Sequence, residues 1–213
     1  MNTETLITGK WTLRIRRPEG AAIPPVILLL HGWTGDENAM WIFASKLPEH
    51  YLLIAPRAPH IEPRGGYSWH PPGEKGWPSL DDFRPAVDAL LELLAEWPAS
   101  VPADFSNLRL AGFSQGAALA YSFALLHTER VRALAALAGF LPDGAATFLD
   151  GESMRGKPIY ISHGSKDELV PVARARQAVQ LLDAAGADVA YCESDVGHKL
   201  SADCFRGMEM FFQ

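Results

Sequence analysis

"RLAGFSQGAALAYSFALL" (Arg109–Leu126) carries an apolar strand pattern through Gly112-Phe113-Ser114-Gln115-Gly116 straight into an apolar helix pattern. An ordinary turn would bring Pro, Asn or Asp. This one has a lone serine with glycine two residues to either side and almost no spacer. Gly-x-Ser-x-Gly in a strand–turn–helix setting is the arrangement that presents a serine hydroxyl on a strained elbow, where side chains at the flanking positions would clash. The helix that follows puts unpaired N–H groups and a positive dipole end beside the serine, which favours developing negative charge. The bland alternative is a serine that only caps the helix.

Outward from this stretch, strand and helix patterns alternate. "PPVILLLHG" (24–32) and "YLLIAPRAP" (51–59) are continuous apolar runs, as in strands buried on both faces of a parallel sheet. "TLRIRRP" (12–18) alternates and suits an edge strand. Strands are expected at 133–138, 159–163 and 187–193. Helices are expected within "DENAMWIFASKLP", over "LDDFRPAVDALLELLAEW" with Ser79 as its cap, from Gln115 to about His127, over 173–186, and at the end after Ser201. The fold class is therefore α/β: a mostly parallel central sheet flanked by helices on both faces, in one domain spanning 1–213. A chain of 213 residues buries roughly 70% of its unfolded surface and needs no staples. Residues 56–79 form a Pro/Gly/Trp-rich stretch, long enough to read as a lid or binding loop.

Composition narrows the function. A net charge of −6 disfavours nucleic acid, where Lys and Arg must neutralise phosphates. No run reaches 18 apolar residues, so stable membrane insertion is not expected. The first residues lack the pattern of a signal peptide, which makes the cytoplasm the expected location. Cys192 and Cys204 read as buried free thiols. No Cys/His spacing suggests a metal, and no cofactor is called for.

A serine hydroxyl needs a base, and the base needs an orienting carboxylate. In a sheet of this kind the chain order is serine, acid, histidine. His198 in "DVGHKLS" lies downstream in a strand-to-helix loop. His163 ends a strand and reads as packed behind the site. Asp167 in "ISHGSKDELVP" is the expected acid, and Asp195 is its rival. Oxyanion donors would be the backbone N–H groups of Gln115 and Trp33, the latter in "HGWTGDEN". Trp33, Trp69, Trp77, Phe140 and Leu141 would line an apolar acyl pocket, of which Trp69, Trp77, Phe140 and Leu141 are the expected substrate-binding residues. Aromatic residues are equally suited to core packing.

Together "LLHGWTGDEN", "LAGFSQGAALA", "LAGFLP", "HGSKDELVP" and "GHKLS" resemble the α/β-hydrolase fold, and within it the phospholipase/carboxylesterase family that includes acyl-protein thioesterases. The resemblance runs from Pro25 to the last residue. It implies an esterase or thioesterase with a triad at Ser114, Asp167 and His198 and oxyanion donors at Trp33 and Gln115. Ser165 stands where the family usually has an acidic residue, and Arg64–Pro78 departs from the family pattern. The expected reaction is hydrolysis of carboxylic esters, or thioesters, of small to medium acyl groups through an acyl-enzyme. The alternatives are an acyl-protein thioesterase or lysophospholipase, and a non-catalytic binding module. Exposed apolar residues around 56–79 would also suit a homodimer contact.

Overall fold

In chain order the elements are β1 (Asn2–Thr8), β2 (Trp11–Arg17), β3 (Pro25–Leu30), α1 (Trp41–Ala44), β4 (Leu52–Pro56), β5 (His60–Ile61), β6 (Tyr67–Ser68), α2 (Leu80–Ala95), β7 (Asp104–Phe113), α3 (Gln115–Leu126), β8 (Val131–Leu137), β9 (Pro158–Gly164), α4 (Val172–Ala184), β10 (Asp188–Ser194) and α5 (Ala202–Phe211). They are those of a computed structural model, which describes residues 2–18, 20, 23–71 and 76–213. Eight strands form one sheet in the order β1-β2-β4-β3-β7-β8-β9-β10. Pairing is antiparallel from β1 to β4 and parallel from there to β10.

The apolar runs behave as strands buried on both faces. Within β3, Val26, Leu28 and Leu30 pack into one core with α2, α3 and α4, while Ile27 and Leu29 pack into a second with Phe43 of α1 and Met208 of α5. Each fully buried leucine of this kind is worth about 1.5–3 kcal/mol of burial. Helix α3 lies deepest: every residue from Gln115 to Leu125 is buried, which explains why it is apolar on all sides. Helix α2 starts as expected at Ser79. Its hydroxyl accepts from the Asp82 N–H while the Asp82 carboxylate accepts from the Ser79 N–H.

The short helix expected within "DENAMWIFASKLP" is Trp41–Ala44. Within the 56–79 stretch, β5 and β6 pair as a hairpin. Two expectations need correction. Strand β2 is not at the edge, because β1 pairs along its whole length and takes that position. Cys192 and Cys204 are not free thiols but are joined in a disulfide. After β10 the chain turns back through 195–201 and lays α5 against β9 and β10, which brings the two Cα atoms to 5.5 Å. Among the described residues, no helix is long and apolar enough to cross a membrane, and no cluster of His, Cys, Asp and Glu could hold a metal ion.

Candidate active site

Strands β3, β7, β8, β9 and β10 run parallel, so their carboxyl ends share one edge of the sheet, where ligands bind in open α/β folds. Thr34, Ser114 and Ala138 are the three non-glycine residues with positive φ among the described residues (63°, 54° and 48°). All three follow the ends of adjacent strands β3, β7 and β8. Backbone strain of this kind costs about 1–3 kcal/mol per residue and gathers at functional sites.

The elbow at Ser114 has φ 54° and ψ −116°. Both glycines of the motif are required by contact. A Cβ on Gly112 would lie 2.2 Å from the Gly116 carbonyl oxygen, and one on Gly116 would lie 2.0 Å from the Leu30 carbonyl oxygen. The turn is thus pressed against itself and against the end of β3. The Ser114 N–H donates to the Leu137 carbonyl at 2.8 Å, which fixes the elbow to β8. Among the described residues, neither the Gln115 nor the Trp33 backbone N–H donates to a protein acceptor. The loop bearing Trp33 passes directly beside the serine: a Cβ on Gly32 would meet Ser114 Cβ at 3.3 Å. Trp33 itself is 51% exposed, with the Arg64 guanidinium 6.0 Å from its ring centroid.

On the other side, Asp167 follows β9 and is buried. Its Oδ1 accepts from the N–H groups of Leu169 and Val170, each at 2.9 Å, and its Oδ2 accepts from His198 Nδ1 at 2.6 Å. The imidazole is therefore held with its proton on Nδ1 and its Nε2 free to accept. The His198 ring packs on Phe113, one residue before the serine, at 5.0 Å between centroids. No hydrogen bond joins Ser114 Oγ to His198 in this structure. Asp195, the rival acid, is at the surface and pairs with Lys166 at 2.8 Å. Ser165 sends its hydroxyl toward the same Asp195, at 3.4 Å. His163 does pack behind the site. Its Nε2–H donates to the Val170 carbonyl at 2.8 Å, and the same nitrogen lies 3.4 Å from Asp167 Oδ2, so a second imidazole packs against the acid.

The four expected substrate-binding residues divide. Trp77 and Phe140 meet edge-on at 4.7 Å, with Leu141 beside them in the same core. Arg174 covers Trp77 at 4.5 Å and pairs with Asp143 at 2.8 Å, tying α4 to the loop after β8. Trp69 is elsewhere. It is 1% exposed, its Nε1–H donates to the His31 carbonyl at 2.8 Å, and its ring lies 4.9 Å from the His31 ring. It is a strut beneath the Trp33 loop rather than a pocket wall. His31 is buried too. Its Nε2 accepts from the Ala58 N–H at 3.0 Å, so the proton sits on Nδ1, which donates to the Gly32 carbonyl at 2.8 Å. Burial, helped by Arg57, holds this imidazole below its ordinary pKa against the opposite pull of Gly32, Asp36 and Glu37. Nothing in the local sequence around His31 signals this structural duty of the imidazole, whose partner Ala58 lies 27 residues away. The side chains of Gln115 and Ser68 were missed as well, since nothing in their local pattern betrays a partner far along the chain.

Fold and site together define an α/β-hydrolase. The family described as Phospholipase/Carboxylesterase matches residues 13–213, and the chain belongs to it. As a member it is a hydrolase. Among curated relatives, acyl-protein thioesterase 1 of Debaryomyces hansenii is 28% identical over 182 residues, covering 75% of this chain and 77% of that protein. Esterase PE8 superposes with a TM-score of 0.79 at 26% identity, over 92% of this chain and 95% of its own. A carboxylesterase from Bacillus cereus superposes with a TM-score of 0.82 at 21% identity, over 95% and 93%, a likeness of fold.

Proposed function

We propose that this chain is a serine carboxylesterase that works through an acyl-enzyme. The observation that carries the reading is the conjunction of a positive-φ serine on a glycine-packed elbow with a half-buried His198 hydrogen-bonded to a buried Asp167 beside it. Ser114 Oγ attacks the ester carbonyl and His198 Nε2 takes its proton. Asp167 holds the imidazolium through Nδ1. The tetrahedral oxyanion accepts from the Trp33 and Gln115 N–H groups, a pair in which each donor is typically worth roughly 10²–10³ in turnover. The alcohol leaves with the proton from His198, and water activated by the same imidazole releases the acid.

Trp77, Phe140 and Leu141 favour an aliphatic acyl group of small to medium length. The thioester alternative draws support from the acyl-protein thioesterase 1 relative at 28% identity. A cytoplasmic location is part of this reading; thiols are kept reduced there, so the Cys192–Cys204 bridge of the structure would close only under oxidising conditions.

The test is labelling with a fluorophosphonate probe, wild type beside Ser114→Ala, followed by p-nitrophenyl esters from acetyl to octanoyl and matching thioesters. Wild type should label and Ser114→Ala should not, with kcat reduced about 10⁴-fold or more. Equal labelling of both proteins would remove Ser114 as nucleophile. No labelling of wild type would bring forward the binding-module reading.

A further inference from the structure

We propose that the side chain of Gln115 is a positioning residue for the oxyanion hole: the residue that offers one donor through its backbone also fixes the other donor through its carboxamide. This rests on the serine-esterase reading above. It concerns a side chain for which that mechanism has no use.

The Gln115 side chain is buried, and both ends of its carboxamide are engaged. Oε1 accepts from the Trp69 backbone N–H at 3.0 Å, and Nε2 donates to Ser68 Oγ at 2.9 Å. The orientation is fixed by its partners. Trp69 N–H can only donate, so it must face Oε1. Ser68 gives its own proton to the His70 carbonyl at 2.8 Å, so its oxygen must accept from Nε2. The carboxamide thus grips residues 68 and 69 at two adjacent points.

Those residues in turn grip the loop carrying Trp33. The Trp69 indole N–H donates to the His31 carbonyl, two residues before Trp33. Immediately after Trp33, the Thr34 N–H donates to the Tyr67 carbonyl at 3.0 Å and the Tyr67 N–H donates to the Gly35 carbonyl at 2.9 Å. Gly66 is pressed so close that a Cβ there would lie 1.9 Å from the Thr34 carbonyl oxygen. The Trp33 N–H is therefore bracketed by hydrogen bonds from one short segment, 66–69, whose link to the nucleophile helix is the Gln115 carboxamide. Two donors that arrive on different loops are joined by one side chain. Displacing a donor by about 1 Å costs on the order of 10² in rate, because the hole must match the oxyanion rather than the ground-state carbonyl.

The test compares wild type with Gln115→Met, which keeps the length and removes both hydrogen bonds, and with the milder Ser68→Ala. Three quantities are read: kcat and KM on a p-nitrophenyl ester, the inhibition constant of a trifluoromethyl ketone that forms a tetrahedral oxyanion adduct, and the melting temperature. The expected result for Gln115→Met is a kcat about 10–100-fold lower, KM within 3-fold, and affinity for the ketone lower by the same factor as kcat/KM. Ser68→Ala should move the same quantities by about 3–10-fold. The double variant should fall no further than Gln115→Met alone, because both changes cut one linkage. The idea is overturned if a folded Gln115→Met keeps wild-type kcat. It is equally overturned if its loss appears in KM alone with ketone affinity unchanged. Should Gln115→Met fail to fold, Ser68→Ala decides by the same two criteria. Failure of the esterase reading looks different, since wild type itself would then neither label with fluorophosphonate nor bind the ketone.

Discussion

The serine half of the site and the histidine half are built by different means. Around Ser114 the backbone does the shaping. Thr34, Ser114 and Ala138 take positive φ, and Gly112 and Gly116 leave no room for a Cβ. Polar side chains there, His31, Ser68 and Gln115, are buried and hydrogen-bonded. Around His198 the φ angles are ordinary, and the loop is set by one glycine contact, a Cβ on Gly164 lying 2.2 Å from the Gly197 carbonyl oxygen, together with paired side chains. Asp167 is satisfied on both oxygens, Lys166 and Asp195 pair at the surface, and a disulfide fastens β10 to α5. The histidine half lies toward the edge of the sheet, with fewer neighbours to hold it. The contrast teaches that the central turn is held in a strained backbone, whereas the edge loop keeps ordinary φ and is fastened by paired side chains and a disulfide.

The largest effect should come from Asp167→Asn. Asparagine Oδ1 can still accept from Leu169 and Val170, so the turn survives. Its NH₂ would face His198 Nδ1 and turn that atom into an acceptor, leaving the proton on Nε2, where it cannot take another. We expect kcat to fall about 10³–10⁴-fold with the melting temperature nearly unchanged. Collapse of the fold instead would mean that Asp167 carries the histidine half structurally, and the contrast would blur.

Opening the Cys192–Cys204 bridge comes next. The cysteines are 12 residues apart, and closing a loop of that size is worth about 3 kcal/mol. For a domain of this length, reduction should lower the melting temperature by roughly 6–12 °C. Calorimetry with and without a dithiol reductant measures this, with Cys204→Ala as the control that should not respond. An unchanged transition would show that the edge is held by packing alone.

The smallest effect belongs to His31. Its folded pKa lies below that of the unfolded chain, so in acid the unfolded state binds more protons and stability falls as pH drops below about 6.5. Melting temperatures between pH 7.5 and 5.5 should decline in wild type, and the decline should be shallower in His31→Asn. Identical slopes would show that burial of His31 costs nothing in acid, and the serine half would lose its one titrating strut.

The legibility of the sequence follows the same division. The elbow was readable because its requirements are local: two glycines, one serine, a strand before and a helix after. The buried runs of β3, β4 and β8 were readable because both faces are covered. Strand β1 was not recognised, since "NTETLIT" is an edge strand whose pairing with β2 is the main thing that defines it. Trp69 and Trp77 look alike in a Pro/Gly-rich stretch, and only the fold shows one under the Trp33 loop and the other against Phe140. The disulfide was hidden because a spacing of 12 carries no signature; it depends on α5 folding back on β10. Ser165 departs from the family pattern without disturbing Asp167, because its hydroxyl turns to Asp195.

The bridge between Cys192 and Cys204 makes residues 192–204 a closed covalent ring with His198 inside it. A protease that cuts the exposed part of this loop, at Asp195 or Lys199, opens the ring without dividing the molecule. Helix α5, with Met208 seated in the second core, stays attached through sulfur. Nicked and intact molecules would then run together on a denaturing gel until a thiol is added. A severed loop could thus ride along unnoticed in an apparently pure preparation.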